Sequence, residues 1–405
     1  MAGMARNAGR RDPPRVARTP LPDPIGVLLW LIDAVVPKRH GRVVLHSFPD
    51  WEDTALALLS ELRTRRCEVI VLVRDSSARA VQPEFMDGVR VLSMSSLSGQ
   101  WCYFSAQIVL TTHALRRSHR IPRRQTYLNL WHGEGLKPTG PWDGERPFQA
   151  SYYTTTSSIG RAMRVAQTGL PPRRILILGS PRNDRLMGAD QSDMKRRAIG
   201  ANTQRLLLWL PTFRETIRRI DGVHTLGPLG LAVDDLHVLD KWLAHQKIIL
   251  LVKTHPSASP EQLPPAEHIR YINEAWLADR HLTLYQLLAA TDVLITDVSS
   301  VWLDYLLIDR PIVLAFPDLE EYQARRAFVL DPFEDWVPGP TARTVDELIV
   351  ALDDALSGED SYAPVRAAFR RRLHRYRDAG SSRRIIDYLC IDRPADPHHN
   401  NRASL

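Results

Sequence analysis

The stretch "LNLWHGEGLKPTG", residues 128–140, sets a histidine at the mouth of an apolar, strand-like run, with two glycines around an acid behind it. A neutral imidazole in that place can take a proton from a hydroxyl near pH 7, and glycines let backbone amides approach an anion. A half-buried histidine that merely closes a turn has the same signature, so His132 alone decides nothing. Other strand ends repeat the design. In "LLVKTHPSASP" (250–260), Lys253, Thr254 and His255 leave a strand that Pro256 terminates. A lysine there is costly to bury without an anionic partner. "LWLPTFRET" (208–216) supplies Thr212 and Arg214, and "LGSPRNDRL" (178–186) supplies Arg182. In "ATDVLITDVSSVWLDYLLIDRPIVL" (290–314), Ser299 and Ser300 precede a helix and Asp304 lies one turn along it. Serines so placed cap a helix, yet the first-turn amides and the helix dipole also favour an anion, most often phosphate. Histidine, lysine, two arginines and hydroxyls gathered at one cleft are the chemistry that recognises a diphosphate.

These residues need a scaffold that brings strand ends together. Short β-rich runs alternate with helical stretches: "RVVLHS" (42–47), "CEVIVLVRD" (67–75), "VRVLSM" (89–94), "AQIVLTT" (106–112), "TYLNLWH" (126–132) and "SYYTTTS" (151–157). After a polar crossover at 188–204, a second series follows: "RLLLWLP" (205–211), "KIILLVKTHP" (247–256), "IRYINE" (269–274), "DVLITD" (292–297) and "PIVLAFP" (311–317). Continuous apolar strands are buried on both faces, which predicts parallel sheets under covering helices. Two such series predict two doubly wound α/β domains, at 25–188 and 200–390, with ligands beyond the carboxyl ends of the strands.

A chain of 405 residues with 44% hydrophobic and 24% charged residues fits two ordinary globular domains. The three cysteines (Cys67, Cys102, Cys390) are far apart, form no CxxC pair and read as reduced core residues in a cytosolic protein. The net charge of +7 is largely local. Residues 1–20 hold Arg6, Arg10, Arg11, Arg15 and Arg18 against Asp12, so 1–24 reads as a basic disordered arm, and 391–405 as a flexible tail. No aromatic-basic interleaving supports a nucleic-acid partner. The apolar run at 25–36 is too short for a spanning helix, which needs about 20 residues. It either packs on the first domain or lies in an anionic membrane surface, with the leading arginines and Lys38, Arg39 and Arg42 reaching lipid.

"WHGEGLK", "GSPRND", "LPTFRE", "KTHP" and "TDVSSVWLDYLLIDRPIVL", in that order, resemble the CDP-glycerol glycerophosphotransferase family, which builds teichoic-acid-type phosphopolyol polymers. "FPDLEEY" (316–322) and "DAGSSRRI" (378–385) continue the likeness, which runs from about Arg42 to Ile386. The resemblance implies a GT-B fold: two Rossmann-like doubly wound parallel-sheet domains facing across a cleft. It implies His132 as general base and His255 as a second functional histidine on the donor phosphates. Gly133, Arg182, Thr212, Arg214, Lys253, Thr254, Ser299, Ser300 and Asp304 are the expected donor-binding positions. The implied reaction moves glycerol phosphate, or a related polyol phosphate, from a CDP-activated donor to a hydroxyl of a lipid-linked polymer or disaccharide acceptor and releases CMP, with no cofactor and no metal. The implied location is the cytoplasmic face of the cell membrane, peripherally bound.

Two positions depart from the family pattern. Glu134-Gly135 replaces the usual Thr-Pro, and a carboxylate near phosphates is unwelcome unless it binds a polyol or pairs with an arginine. Val298 replaces a tyrosine. The length favours a primase or short-chain transferase over a long-chain polymerase. A GT-B sugar transferase or sugar-nucleotide epimerase using Glu134, and a catalytically silent nucleotide- or membrane-binding relative, are the alternative readings.

Overall fold

The computed structural model describes residues 24–74, 87–113, 124–136, 138–139, 150–200, 204–211, 219–220, 223–224, 233–253, 266–316, 319, 328–358 and 360–391. The expected arm and tail, and the site positions Thr212, Arg214, Thr254 and His255, lie outside the described residues.

The first unit opens with helix α1 (Pro24–Val35) and strand β1 (Arg39–His46), followed by α2 (Asp53–Leu62), β2 (Glu68–Val73) and β3 (Arg90–Ser93). Next come α3 (Leu97–Ser105), β4 (Ala106–Thr111), β5 (Thr126–Asn129), β6 (Tyr152–Thr155), α4 (Ser158–Thr168) and β7 (Ile175–Ile177). The seven strands form one wholly parallel sheet in the order β3-β2-β1-β4-β5-β6-β7. The order reverses between β1 and β4, so the crevice beyond His46 and Thr111 is where such a sheet receives a ligand.

Helices α5 (Pro181–Met187) and α6 (Gln191–Ile199) lead across to β8 (Arg205–Leu210). A two-stranded hairpin, β9 (Arg219–Ile220) with β10 (Val223–His224), and α7 (Val233–Gln246) come before β11 (Ile248–Lys253) and β12 (Ile269–Ile272). Then follow α8 (Glu274–Asp279), α9 (Leu284–Ala290), β13 (Val293–Thr296), α10 (Val301–Tyr305), β14 (Ile312–Ala315) and β15 (Thr341–Ala342). Helices α11 (Val345–Ser357), α12 (Ala363–Leu373) and α13 (Ser381–Tyr388) close the described chain. The second sheet is also parallel, in the order β12-β11-β8-β13-β14-β15, with its own reversal at β8 and β13. Both main sheets are as the apolar runs predict. The short β7 and β15, which carry no long apolar run, were not legible.

The continuous apolar strands serve two cores at once. Along β8, Leu206, Leu208 and Leu210 enter one core, while Leu207 and Trp209 enter the core on the opposite face. Along β2, Val69, Val71 and Val73 alternate in the same way with Ile70 and Leu72. This is the period-2 alternation of a sheet covered on both sides.

The units are joined by more than a linker. Leu136 and Met163 of the first unit belong to the core that holds β8 and β13 of the second. Arg185 on α5 meets Asp53 at 3.0 Å, and the other oxygen of Asp53 accepts from the backbone N–H of Tyr285 at 3.2 Å. Helix α13, grouped by its place in the sequence with the second unit (200–390), lays Ile385 and Ile386 into the core of the first. Asp184 holds it there, accepting from the N–H groups of Ser381 (2.8 Å) and Ser382 (2.7 Å). An amphipathic helix goes where its apolar face is buried, which sequence order does not dictate.

Helix α1 packs on the first unit, the first of the two placements expected for it. Asp33 is fully buried and ion-paired with Lys38, whose Nζ also donates to the carbonyl of Phe104 at 2.5 Å. The opposite face is apolar and open. Removing one partner of a buried pair strands the other's charge and costs about 3–5 kcal/mol, whereas replacing both with apolar residues is far cheaper. We therefore expect Asp33→Ala to lower stability by about that amount in urea unfolding, and Asp33→Leu combined with Lys38→Met to recover most of the loss.

Candidate active site

His132 follows β5 and is an exposed residue. Trp131 before it takes a positive φ of 55°, and its N–H donates to Asn129 Oδ1 at 2.8 Å, which turns the chain sharply out of the strand. Gly133 then takes φ 121°, and a Cβ there would stand 2.0 Å from Nη2 of Arg182. Only glycine fits that position.

Two buried arginines hold the turn by consecutive carbonyls. Arg182 Nη1 donates to the carbonyl of His132, and Arg164 Nη2 donates to that of Gly133 at 3.2 Å. Each arginine has a carboxylate. Arg182 is ion-paired with Asp304, which also accepts from the Tyr285 hydroxyl at 2.7 Å, and its guanidinium lies 5.0 Å over the Tyr285 ring. Arg164 stands 3.6 Å from Glu134 and 4.9 Å over the ring of Trp131. Glu134 is buried, with Oε1 accepting from the Thr155 hydroxyl (2.5 Å) and from the N–H and hydroxyl of Thr156 (2.8 and 3.3 Å). Of the two roles open to this acid, the structure displays the arginine pair.

The imidazole of His132 is closely packed. The His113 ring stacks on it at 4.3 Å with 8° between planes, and Trp131 stacks at 4.7 Å and 24°. The backbone of Thr112 lies close enough to the ring to favour a proton on it. Exposure of the residue coexists with poor hydration because neighbouring rings cover so much of the rest. Desolvation, then His113, Arg182 and Arg164, push its pKa down to about 3. His113 is likewise pushed down to about 4, by burial and then by Arg74 and His46. Both rings are uncharged at pH 7. A neutral imidazole carries its proton on one nitrogen and keeps a lone pair on the other for a proton. Nearby, burial raises the Glu52 carboxyl to about 7 against the opposing charge of Arg182.

The second unit contributes its switch point. Ser299 and Ser300 stand half-buried before α10. Capping is slight: Ser299 Oγ accepts from the N–H of Val301 at 3.5 Å, and the Ser300 side chain makes no capping bond. Val298 is buried in the core. Lys253 ends β11 half-buried, and its anionic partner is Glu274, at 2.8 Å. Since Glu274 is largely exposed, an incoming phosphate can compete for the lysine.

Arg182 and Asp304 are expected donor-binding positions; their side chains are 8% and 2% exposed and pair with each other behind the turn. His113 was not singled out in the sequence at all. Its only signal was a histidine directly after the strand "AQIVLTT".

Two parallel sheets, each with polar strand-end residues at its switch point, define a GT-B architecture. The family model described as CDP-Glycerol:Poly(glycerophosphate) glycerophosphotransferase matches residues 28–390, and the chain belongs to that family. The expected enzyme class, a CDP-polyol phosphotransferase, follows from that membership. The chain is 28% identical over 391 residues to the teichoic acid ribitol-phosphate primase of Bacillus spizizenii, covering 90% of this chain and 94% of that one. It is 28% identical over 266 residues to the teichoic acid poly(glycerol phosphate) polymerase of Bacillus subtilis, which aligns with 60% of this chain but only 34% of that longer protein. Its fold matches that of the wall teichoic acid polymerase TagF with a TM-score of 0.74 at 20% identity, over 89% of this chain and 91% of that one.

Gly133→Ala tests the turn. The added methyl meets the Arg182 guanidinium in a backbone conformation that disfavours side chains, so the turn must move, and a displacement of about 1 Å costs roughly 100-fold in rate. The expected result is loss of turnover with CDP affinity held within about twofold, read by calorimetric titration.

Proposed function

We propose that the protein moves a glycerol phosphate, or a related polyol phosphate, from a CDP-activated donor to a hydroxyl of a lipid-linked polymer or disaccharide acceptor. The acceptor oxygen attacks the distal phosphorus and forms a new P–O bond. The bond to CMP breaks, CMP leaves with the electron pair, and the acceptor proton passes to the free nitrogen of His132. The observation that carries this reading is the neutral, open-edged imidazole of His132, gripped at the mouth of the cleft in a family motif. Ser299, Ser300 and Lys253 are proposed on the donor side. His255, Thr212, Arg214 and Thr254 keep their proposed donor roles by motif alone. Positioning and charge stabilisation then supply most of the rate.

Incubating the protein with CDP-glycerol, CDP-ribitol or a UDP-sugar and a lipid-linked disaccharide, and following CMP or UDP release, tests the reaction and the donor together. Release of UDP alone would overturn it. His132→Ala should lower turnover by about 10²–10⁴-fold while leaving CDP affinity within about twofold. The donor should also tune the base. Its negative diphosphate opposes the cations that hold His132 neutral, so the His132 pKa should rise on CDP binding, as read from its imidazole resonances.

We further propose that the protein works against a membrane surface. No helix among the described residues is long and apolar enough to cross a membrane. Helix α1 exposes Leu28 (57%), Leu31 and Val35 (76%), and α3, which α1 touches, adds Leu97 (90%) and Trp101 (58%). An apolar face with an exposed tryptophan suits a bilayer interface. Among the described residues the basic flank contributes less than its sequence suggests: Lys38 pairs with Asp33, Arg42 is buried against Glu68, and Arg39, though exposed, also pairs with Glu68 at 3.2 Å. Leu28→Glu with Leu31→Glu should abolish flotation with anionic liposomes without altering CDP binding. Equal flotation of the parent and the variant would rule this surface out.

A further inference from the structure

His113 lies two residues beyond β4 at the switch point of the first sheet, half-buried, with its ring nearly parallel to His132 at 4.3 Å. Its own orientation is fixed. The Thr112 hydroxyl, which accepts from the Phe48 N–H at 3.1 Å, lies 3.1 Å from His113 Nδ1. The ring of Phe48 stands edge-on to His113 at 5.4 Å and 85°. Thr112 therefore serves both histidines, its hydroxyl meeting His113 and its backbone lying close to the His132 ring. Because ring nitrogens lie in the ring plane, a partner on the face fixes the tilt of His132 without covering the nitrogen that must take the proton.

We propose that His113 is a positioning residue for His132, its stacked, uncharged ring holding the imidazole of the base edge-on to the acceptor. This rests on His132 being the base. Stacking has a second consequence. A proton on His113 would face the proton that His132 takes up, and like charges at that spacing repel strongly. The groups around His113 oppose such a charge: Arg74 and His46 from the neighbouring strands, besides His132 itself. Around His132 stand Arg182, Arg164 and His113, with Glu52 acting on Arg182 from the start of α2.

The test uses the full chain with His113→Ala and His113→Phe. Turnover of CDP-glycerol is measured across roughly pH 5 to 9 on liposomes carrying a lipid-linked disaccharide, and the His132 imidazole is titrated by NMR without any acceptor. His113→Ala should reduce kcat by roughly 10–100-fold, with KM for CDP-glycerol within about twofold. It should also raise the His132 pKa, since both a covering ring and a repelling group are lost. His113→Phe restores the flat face and should recover most of kcat, a rescue that a general loss of stability would not give. Unchanged kcat and an unchanged His132 titration in His113→Ala overturn the inference, as does a phenylalanine variant no better than alanine. Should His132→Ala keep full activity, the base assignment itself falls, and the NMR arm alone decides whether His113 governs that ring.

Discussion

The grip of two buried arginines on two adjacent carbonyls is the constraint from which the rest of the site follows. A turn carrying positive φ at both Trp131 and Gly133 does not hold itself in place, and its carbonyls point where no strand can satisfy them. Arg182 and Arg164 take them. Burying two guanidinium groups demands counter-charges, and these come from different places: Asp304 from the second unit, Glu134 from the turn itself. Such pairs contribute little net stability, because desolvation cancels most of the attraction. What they supply is geometry, since each half stranded without the other would be strongly unfavourable.

Because Asp304 lies on α10, one turn after the serines at the second switch point, the same network that holds the proposed base also holds the proposed donor side. Tyr285 on α9 joins it through its hydroxyl, and the neighbouring Asp53–Arg185 pair ties α2 to α5. The two Rossmann-like units are thus stitched along the floor of the cleft by charges and by a shared apolar core that includes Leu136. Base and donor residues come from separate sheets, yet their separation is set by a few buried contacts. The network has an electrostatic side effect as well: the cations that hold the turn disfavour a proton on His132, so its basicity depends on what negative charge the cleft contains.

The sheets were legible because strands buried on both faces read as short apolar runs ending in polar residues and alternating with helical stretches. His132 was legible for the same reason, standing at such an end with glycines behind it. What could not be read was which way a polar side chain turns once the chain has folded. Arg182 looks like a phosphate ligand until Asp304, distant in sequence, is found beside it. Glu134 looked awkward for an anion site, and only the position of Arg164 on α4 shows that its charge is already matched. His113 carries no local signal, since its role comes from the adjacency of β4 and β5 and from ring planes that only tertiary structure defines. The return of α13 to the first core is of the same kind, an amphipathic helix whose destination depends on which apolar surface is left uncovered.

Helix α1 shows how one short segment can pack on a domain and still leave an apolar face exposed. Asp33 interrupts its apolar run and seems to spoil it for either packing or lipid. In the fold that residue is the most buried point of the helix, where its pair with Lys38 and the Phe104 carbonyl fixes the helix axis against the end of α3. With attachment provided by a charge pair and by Leu29 and Val36 against the core, the remaining face needs no polar residue to orient it. Leu28, Leu31 and Val35 are left pointing outward beside Leu97 and Trp101. A surface of that composition is costly to keep in water. It becomes favourable where a second apolar phase meets it, and an enzyme whose proposed acceptor is lipid-linked would meet that phase while at work.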